Sequence, residues 1–546
     1  MWRLLGFLML ISALLAAGAG SLRAETAIVP EASATEEAGP LESDADAEAQ
    51  AKDDEGTAAA SPARAPETPL GSAIKARLAM APNDSADEEK AERGALEAFY
   101  AGRAYAPLWI ASDKFNADAE GVLAEFGKAG DWGLDPADFP APKIDAAGQQ
   151  PDASAAAEVE LSLLVLKYAR YARGGRIVHP AEQLNSNLDR RPQLLKPAAV
   201  LEGLDAATDK AAYVAGTHPK HAQFHRLREK FLESRAADGK LNAAAKKLRA
   251  NMEMWRWMHD DLGDMYLMAN VPAYTIDVVK NGERILTERI VVGEIGKQTS
   301  IFTRSLKSIT FRPMWRVPES IKVHEIWPSL VRGGGLMRQY DLEIETKDGR
   351  RLDWRTMDWS TLDIRNYEVV QPPGRKSVMG YVKFSFPSQH TIFMHDTPDK
   401  WMFNSKQRTL SHGCLRLRNP LRVAEIVLAE DKGWDAAKVD SLAKGGQLNN
   451  EIAMEKRIRM HLAYFTAWVD DDGKLKTYGD IYGHEKRVTQ ALDGKWQQIA
   501  KGRDHLAPVK PNRELLEARP VKEASRRRSG SSASDDFLGS FFGGGF

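Results

Sequence analysis

The chain has 546 residues, with 75 Lys plus Arg against 76 Asp plus Glu and a formal net charge of -1. No global field therefore favours nucleic acid or another polyanion. With 43% hydrophobic residues and 13 tryptophans it can bury a large core, and its length suits two or three domains plus tails. One cysteine excludes an internal disulfide.

At the start, Arg3 precedes an apolar run from Leu4 to Ala17, followed by small residues through Ala24. The run is too short to span a bilayer comfortably, so residues 1–24 read as a secretory signal that sends the mature protein to the periplasm. No later stretch reaches about 18 unbroken apolar residues, so the mature chain is expected to have no transmembrane segment. Residues 25–84, mostly Ala, Glu, Asp, Pro and Ser in their first part, cannot offset the entropy of ordering and are expected to form a disordered acidic tether.

Over residues 85–240 apolar residues recur at helical spacing. Leu161, Leu164, Val165, Tyr168 and Ala169 form one stripe and Phe224, Leu227, Phe231 and Leu232 another, which predicts a helical domain. Its aromatic Tyr100–Ile110 stretch reads as core packing rather than a glycan-stacking surface. Leu241 to His259 adds a further helix.

At Tyr274 the period changes to two. Tyr274, Ile276 and Val278 alternate with Thr275, Asp277 and Val279, Asn281-Gly282 suits a type I′ turn, and Arg284 to Val292 returns as the second strand. Strand-like runs follow at Ser308–Phe311, Val378–Phe384 and Thr391–His395. The expected fold is therefore α+β: the helical domain, then a β-rich domain over residues 241–430 with a long insertion at about 326–371. A helix and a hairpin from His461 to Tyr478, turning at Asp472-Gly473, follow within 431–505, then a disordered tail over 506–546 with no assigned function.

The single thiol lies in Ser411-His412-Gly413-Cys414-Leu415-Arg416, nineteen positions after His395. A lone cysteine in an exported protein is open to oxidation, which makes nucleophilic chemistry the natural reason for it. Such chemistry needs a thiolate, hence a nearby imidazole or cation, and for acyl transfer N–H groups aimed at an oxyanion. Gly413 permits a sharp turn and leaves the Gly413 and Cys414 N–H groups unobstructed. His395 ends an apolar strand, and Arg416 would share the side of Cys414. Three alternatives stand beside this reading. His390, His395, His412 and Cys414 offer soft ligands for zinc, though their spacing matches no structural zinc pattern. Cys414 is also readable as an inert buried thiol, and His412 rather than His395 as the base.

His395 followed by Ser411-His412-Gly413-Cys414 and Arg416 resembles the signature of the L,D-transpeptidases, cysteine enzymes that cross-link bacterial peptidoglycan. Flanking segments resemble the large Gram-negative branch of that family: Pro313-Met314-Trp315-Arg316-Val317-Pro318, Lys383-Phe384-Ser385-Phe386-Pro387, Pro107-Leu108-Trp109 and Asp480-Ile481-Tyr482-Gly483 among them. The resemblance implies Cys414 as nucleophile, His395 as general base oriented by a backbone carbonyl such as that of Asp396, and His412, Gly413 and Cys414 N–H groups as the oxyanion hole. Ser411, Asp396 and Arg416 would bind substrate or support the loop. It implies peptidoglycan stem peptides as partners, no metal and no cofactor, a catalytic role for residues 241–430, and a mobile lid over the cleft in the insertion at about 326–371.

Two departures stand out. The peptidoglycan-binding module of related large enzymes is not evident between Arg235 and Arg249, and Arg312 and Ser377 occupy positions where the family tends to have asparagine. Competing readings are an L,D-carboxypeptidase or lipoprotein-attaching variant, a sortase-like acyltransferase, and a non-catalytic wall-binding scaffold.

Overall fold

The computed structural model describes residues 68–80, 86–144, 151–236 and 240–510. The expected signal, most of the expected tether and the tail beyond residue 510 lie outside the described residues.

Helices α1 (Pro69–Ala79), α2 (Asp87–Gly102), α3 (Ala117–Gly127), α4 (Asp152–Gly174), α5 (Pro197–Ala206), α6 (Lys210–Ala215) and α7 (Ala222–Ser234) build the N-terminal part. Its core gathers Leu96, Tyr100, Trp109, Phe126, Leu161, Val165 and Tyr168. Helix α1 falls inside the stretch expected to be tether, which corrects that boundary. Thr68 caps it by accepting from Gly71 N at 3.0 Å, Pro69 pre-sets its first turn, and Ile74 and Leu78 are buried.

The Tyr100–Ile110 aromatics lie in the core. They surround the buried carboxylate of Glu158, which accepts from Tyr100 Oη (2.6 Å) and from the Trp109 and Ile110 N–H groups (3.0 Å each). Such bonds offset the cost of burying a charge.

Helix α8 (Ala243–Arg256) leads into the β-rich part and is locked to α4. Arg173 Nη1 donates to Arg256 O (3.0 Å) and Arg256 Nε to Ala172 O (3.0 Å). Then follow β1 (Met265–Asn270), β2 (Thr275–Lys280), β3 (Glu283–Gly293), β4 (Thr303–Ser305), β5 (Ser308–Phe311), β6 (Trp315–Arg316), β7 (Glu343–Thr346), β8 (Arg351–Leu352), β9 (Tyr367–Gln371), β10 (Val382–Ser385), β11 (Met394–His395), β12 (Thr409–Ser411) and β13 (Leu415–Leu417). At the β2–β3 turn Asn281 and Gly282 take φ of 51° and 80°, as a type I′ turn requires.

The main sheet has eleven strands in the order β14–β5–β10–β11–β13–β3–β2–β1–β15–β4, with β12 pairing on β3; β14 is Asn450–Ala453 and β15 Arg459–Ala463. Helices α9 (Pro420–Lys432) and α10 (Ala436–Gly445) contribute Val423, Val427, Leu428 and Val439 to its core. The run expected as a strand over 378–384 forms one only from Val382, and that over 391–395 only from Met394. The expected hairpin over residues 461–478 is shorter: β16 (Ala467–Val469) pairs with β17 (Leu475–Thr477), while His461 belongs to β15. Helix α11 is His484–Leu492.

The insertion begins earlier than the sequence suggested, at Trp315, because β6 pairs with β9. It forms its own sheet, β8–β7–β9–β6, over a separate core that includes Ile326, Trp327, Ile344, Trp354 and Trp359. A π-helical turn, Lys322–Ile326, carries the buried Glu325; such turns recur at functional sites.

Candidate active site

Strands β11 and β13 lie side by side and parallel, with His395 opposite Arg416 and Met394 opposite Leu415. Leu415 N donates to Phe393 O at 3.1 Å. This register puts Cys414, just before β13, next to the strand that ends in His395. Both residues line a cavity of about 470 Å³, walled also by Trp315, Ile321, Met379 and Phe393.

His395 Nδ1 lies 2.5 Å from the carbonyl oxygen of Asp396. A carbonyl can only accept, so Nδ1 carries the proton and Nε2 is the basic nitrogen. Burial, with Arg416 nearby, lowers the His395 pKa to about 3. Burial also pushes the Cys414 thiol up to about 11, outweighing Lys383 and Arg416. In place of a thiolate stabilised by nearby positive charge, the site holds a neutral thiol and a neutral imidazole at pH 7, because desolvation disfavours both charged forms.

The turn before Cys414 is stapled from within. Ser411 Oγ donates to Cys414 O (2.6 Å) and accepts from Gly413 N (3.3 Å). Gly413 has φ of +112°, a conformation closed to side chains with a Cβ. The Gly413 N–H is thus partly occupied, whereas no hydrogen bond of the turn claims the Cys414 N–H. Thr299 Oγ1 donates to Gly413 O (2.7 Å) and accepts from Gly293 N (2.9 Å). Tyr482 Oη accepts from Thr299 N (3.3 Å) and donates to Gly293 O. A Cβ on Gly293 would stand 2.1 Å from Lys297 O and 2.9 Å from Gly413 Cα. Thr299 and Tyr482 escaped the sequence reading: Tyr482 stood inside a recognised segment, but nothing local joins it to a turn some seventy residues away.

Three sequence-designated side chains have settled partners. His412 Nε2 meets Glu325 Oε1 at 2.7 Å, and Lys297 Nζ reaches the same oxygen at 2.9 Å. Arg416 is 1% exposed and faces Met402 Sδ (3.0 Å) and Asp399 (3.9 Å). It is thereby sealed from the cavity and braces the loop after His395. Asp396 accepts from Thr397 N (2.7 Å), Lys400 Nζ (2.6 Å) and Tyr381 N (2.9 Å), which fixes the carbonyl that holds His395. Among the described residues no three His, Cys, Asp or Glu side chains are grouped to hold a metal ion, and the histidines considered for zinc have other partners. His390 bonds Asp189 (2.9 Å) and His505 (2.6 Å), His395 bonds Asp396 and His412 bonds Glu325.

Residues 94–231 match the family model described as a scaffold domain, and residues 264–439 match that of the L,D-transpeptidase catalytic domain. A Haemophilus influenzae protein named "Putative L,D-transpeptidase" is 24% identical over 417 residues, covering 74% of this chain and 81% of that relative. An L,D-transpeptidase from Mycobacterium smegmatis is a similar solved structure at 12% identity, covering 36% of this chain and 58% of that one, with a TM-score of 0.16. The chain thus carries a region matching the L,D-transpeptidase catalytic domain, preceded by a region matching a scaffold domain.

Proposed function

We propose that the protein is an exported peptidoglycan L,D-transpeptidase in which Cys414 is the nucleophile and His395 the general base. The donor is a tetrapeptide stem bearing a diamino acid in third position. As Cys414 Sγ attacks the carbonyl of that residue, the thiol proton passes to His395 Nε2. The oxyanion takes the Cys414 N–H, joined by those of His412 and Gly413 once substrate competes with Ser411 Oγ. His395 then gives its proton to the departing D-alanine amine, leaving a thioester. The side-chain amine of a second stem attacks the thioester, its proton returns to His395, and the new amide forms as the thiol is regenerated.

The observation that carries this reading is the His395–Asp396 bond beside a cavity-lining thiol. It leaves a neutral basic nitrogen in the state a general base needs, since a thiol that stays protonated at neutral pH must lose its proton within the reaction. Among the described residues no helix is long and apolar enough to cross a membrane. Incubation with tetrapeptide muropeptides and mass analysis of products tests the reading. Cross-linked dimers with D-alanine release support it; D-alanine release without dimers identifies the carboxypeptidase variant, and no turnover rejects it.

A further inference from the structure

The last described segment supplies a wall of the cavity that holds Cys414, through Gly502, Arg503, His505 and Val509. It is fastened at both ends. On one side Asn185 Nδ2 donates to Lys501 O (2.5 Å) and Arg487 Nε to Ala500 O (2.8 Å). On the other, His505 Nδ1 meets Ser186 Oγ (2.8 Å) and His505 Nε2 meets His390 Nδ1 (2.6 Å), while His390 Nε2 meets Asp189 (2.9 Å). With both imidazoles neutral this chain satisfies every member: His390 donates to Asp189, His505 to His390, and Ser186 to His505. Val509 packs against the core of the insertion.

Arg503 lies between these anchors, so its backbone is held while its side chain stays exposed. Two other cations line the cavity. Lys297 pairs with Glu325, and Arg487 donates to the Ala500 and Tyr482 carbonyls. Among the described residues Arg503 makes no ion pair, and no Asp or Glu lines the cavity. The peptide expected there carries carboxylates, and a guanidinium presented on a fastened backbone suits a carboxylate through paired N–H donors.

We infer that Arg503 is a specificity-determining residue that receives a carboxylate of the peptide substrate, presented by a C-terminal strap that completes the cleft. This rests on the peptide substrate proposed above. The test uses full-length Cys414→Ala protein, which binds without turnover, titrated calorimetrically with the tetrapeptide as free acid, as C-terminal amide, and with its glutamate α-carboxyl amidated. Adding Arg503→Ala should weaken free-acid binding about fivefold, the worth of one exposed charge pair, and Arg503→Lys should lose less. The effect should vanish with whichever amide removes the contacted carboxylate. Equal affinities with and without Arg503 overturn the inference alone, whereas failure of the parent protein to bind any tetrapeptide overturns the substrate reading and this inference with it.

Discussion

Arg416 stands opposite His395 across the β11–β13 pair, and its buried guanidinium disfavours a charged His395, whereas desolvation keeps the Cys414 thiol protonated against that same charge. A cation there penalises imidazolium, and it lowers the thiol by less than desolvation raises it. Replacing His395 by Ala should therefore slow acylation of Cys414 by about 10² to 10⁴-fold, the usual contribution of a general base. Rates of thioester formation on a tetrapeptide donor check this, and a loss under about threefold would assign the base elsewhere.

The same electrostatics set the pH response of the thiol. With Cys414 pushed up to about 11, alkylation by the neutral reagent iodoacetamide should climb about tenfold per pH unit from 7 to 10, following the thiolate fraction. A rate that levels off below pH 8 would mean a resting thiolate–imidazolium pair instead.

His412 ties the turn before Cys414 to the insertion through Glu325. As its proposed role in chemistry uses the backbone N–H, His412→Ser should keep acylation within about tenfold of the parent, against the larger loss at His395. Amide exchange over residues 319–331 should quicken in both His412→Ser and Glu325→Gln. The reverse ranking of the two histidine variants would move the base to His412.

Acid should destabilise the fold. His218, His395, His461 and His484 are buried and have pKa values below the ordinary histidine range, chiefly through desolvation. The unfolded chain binds protons on these residues below about pH 6.5 while the folded chain does not, so stability falls as pH drops through that value. Each fully buried histidine contributes up to about 1.4 kcal/mol per pH unit in that window. Calorimetric melting between pH 7 and 4.5 checks the sign, and a constant Tm over that range would contradict it.

Much of this was legible in the sequence wherever a local rule sufficed. The Asn281-Gly282 turn and the long helical stripe of α4 follow from turn chemistry and periodicity. The placing of the Ser411–Arg416 turn beside His395 was legible through motif spacing. What escaped depended on distant pairing. Strand β6 assigns Trp315 to the insertion only because β9 comes to lie beside it, and Tyr482 acts on Gly293 only through the folded sheet. Helix α1 was hidden by its Ala-rich surroundings, since Ile74 and Leu78 become a core stripe only once α4 is present to bury them. The segment after residue 500 is polar and irregular, and nothing in its composition reveals that His505 meets His390.

The central claim is that the acyl group passes through the thiol of Cys414. Intact-mass spectrometry of the protein, quenched in acid shortly after mixing with a tetrapeptide donor, tests it directly. The expected species carries the mass of the donor less D-alanine, mapped by digestion to Cys414 and absent from Cys414→Ala. An adduct on another residue, or cross-linked product formed by Cys414→Ala, would contradict it.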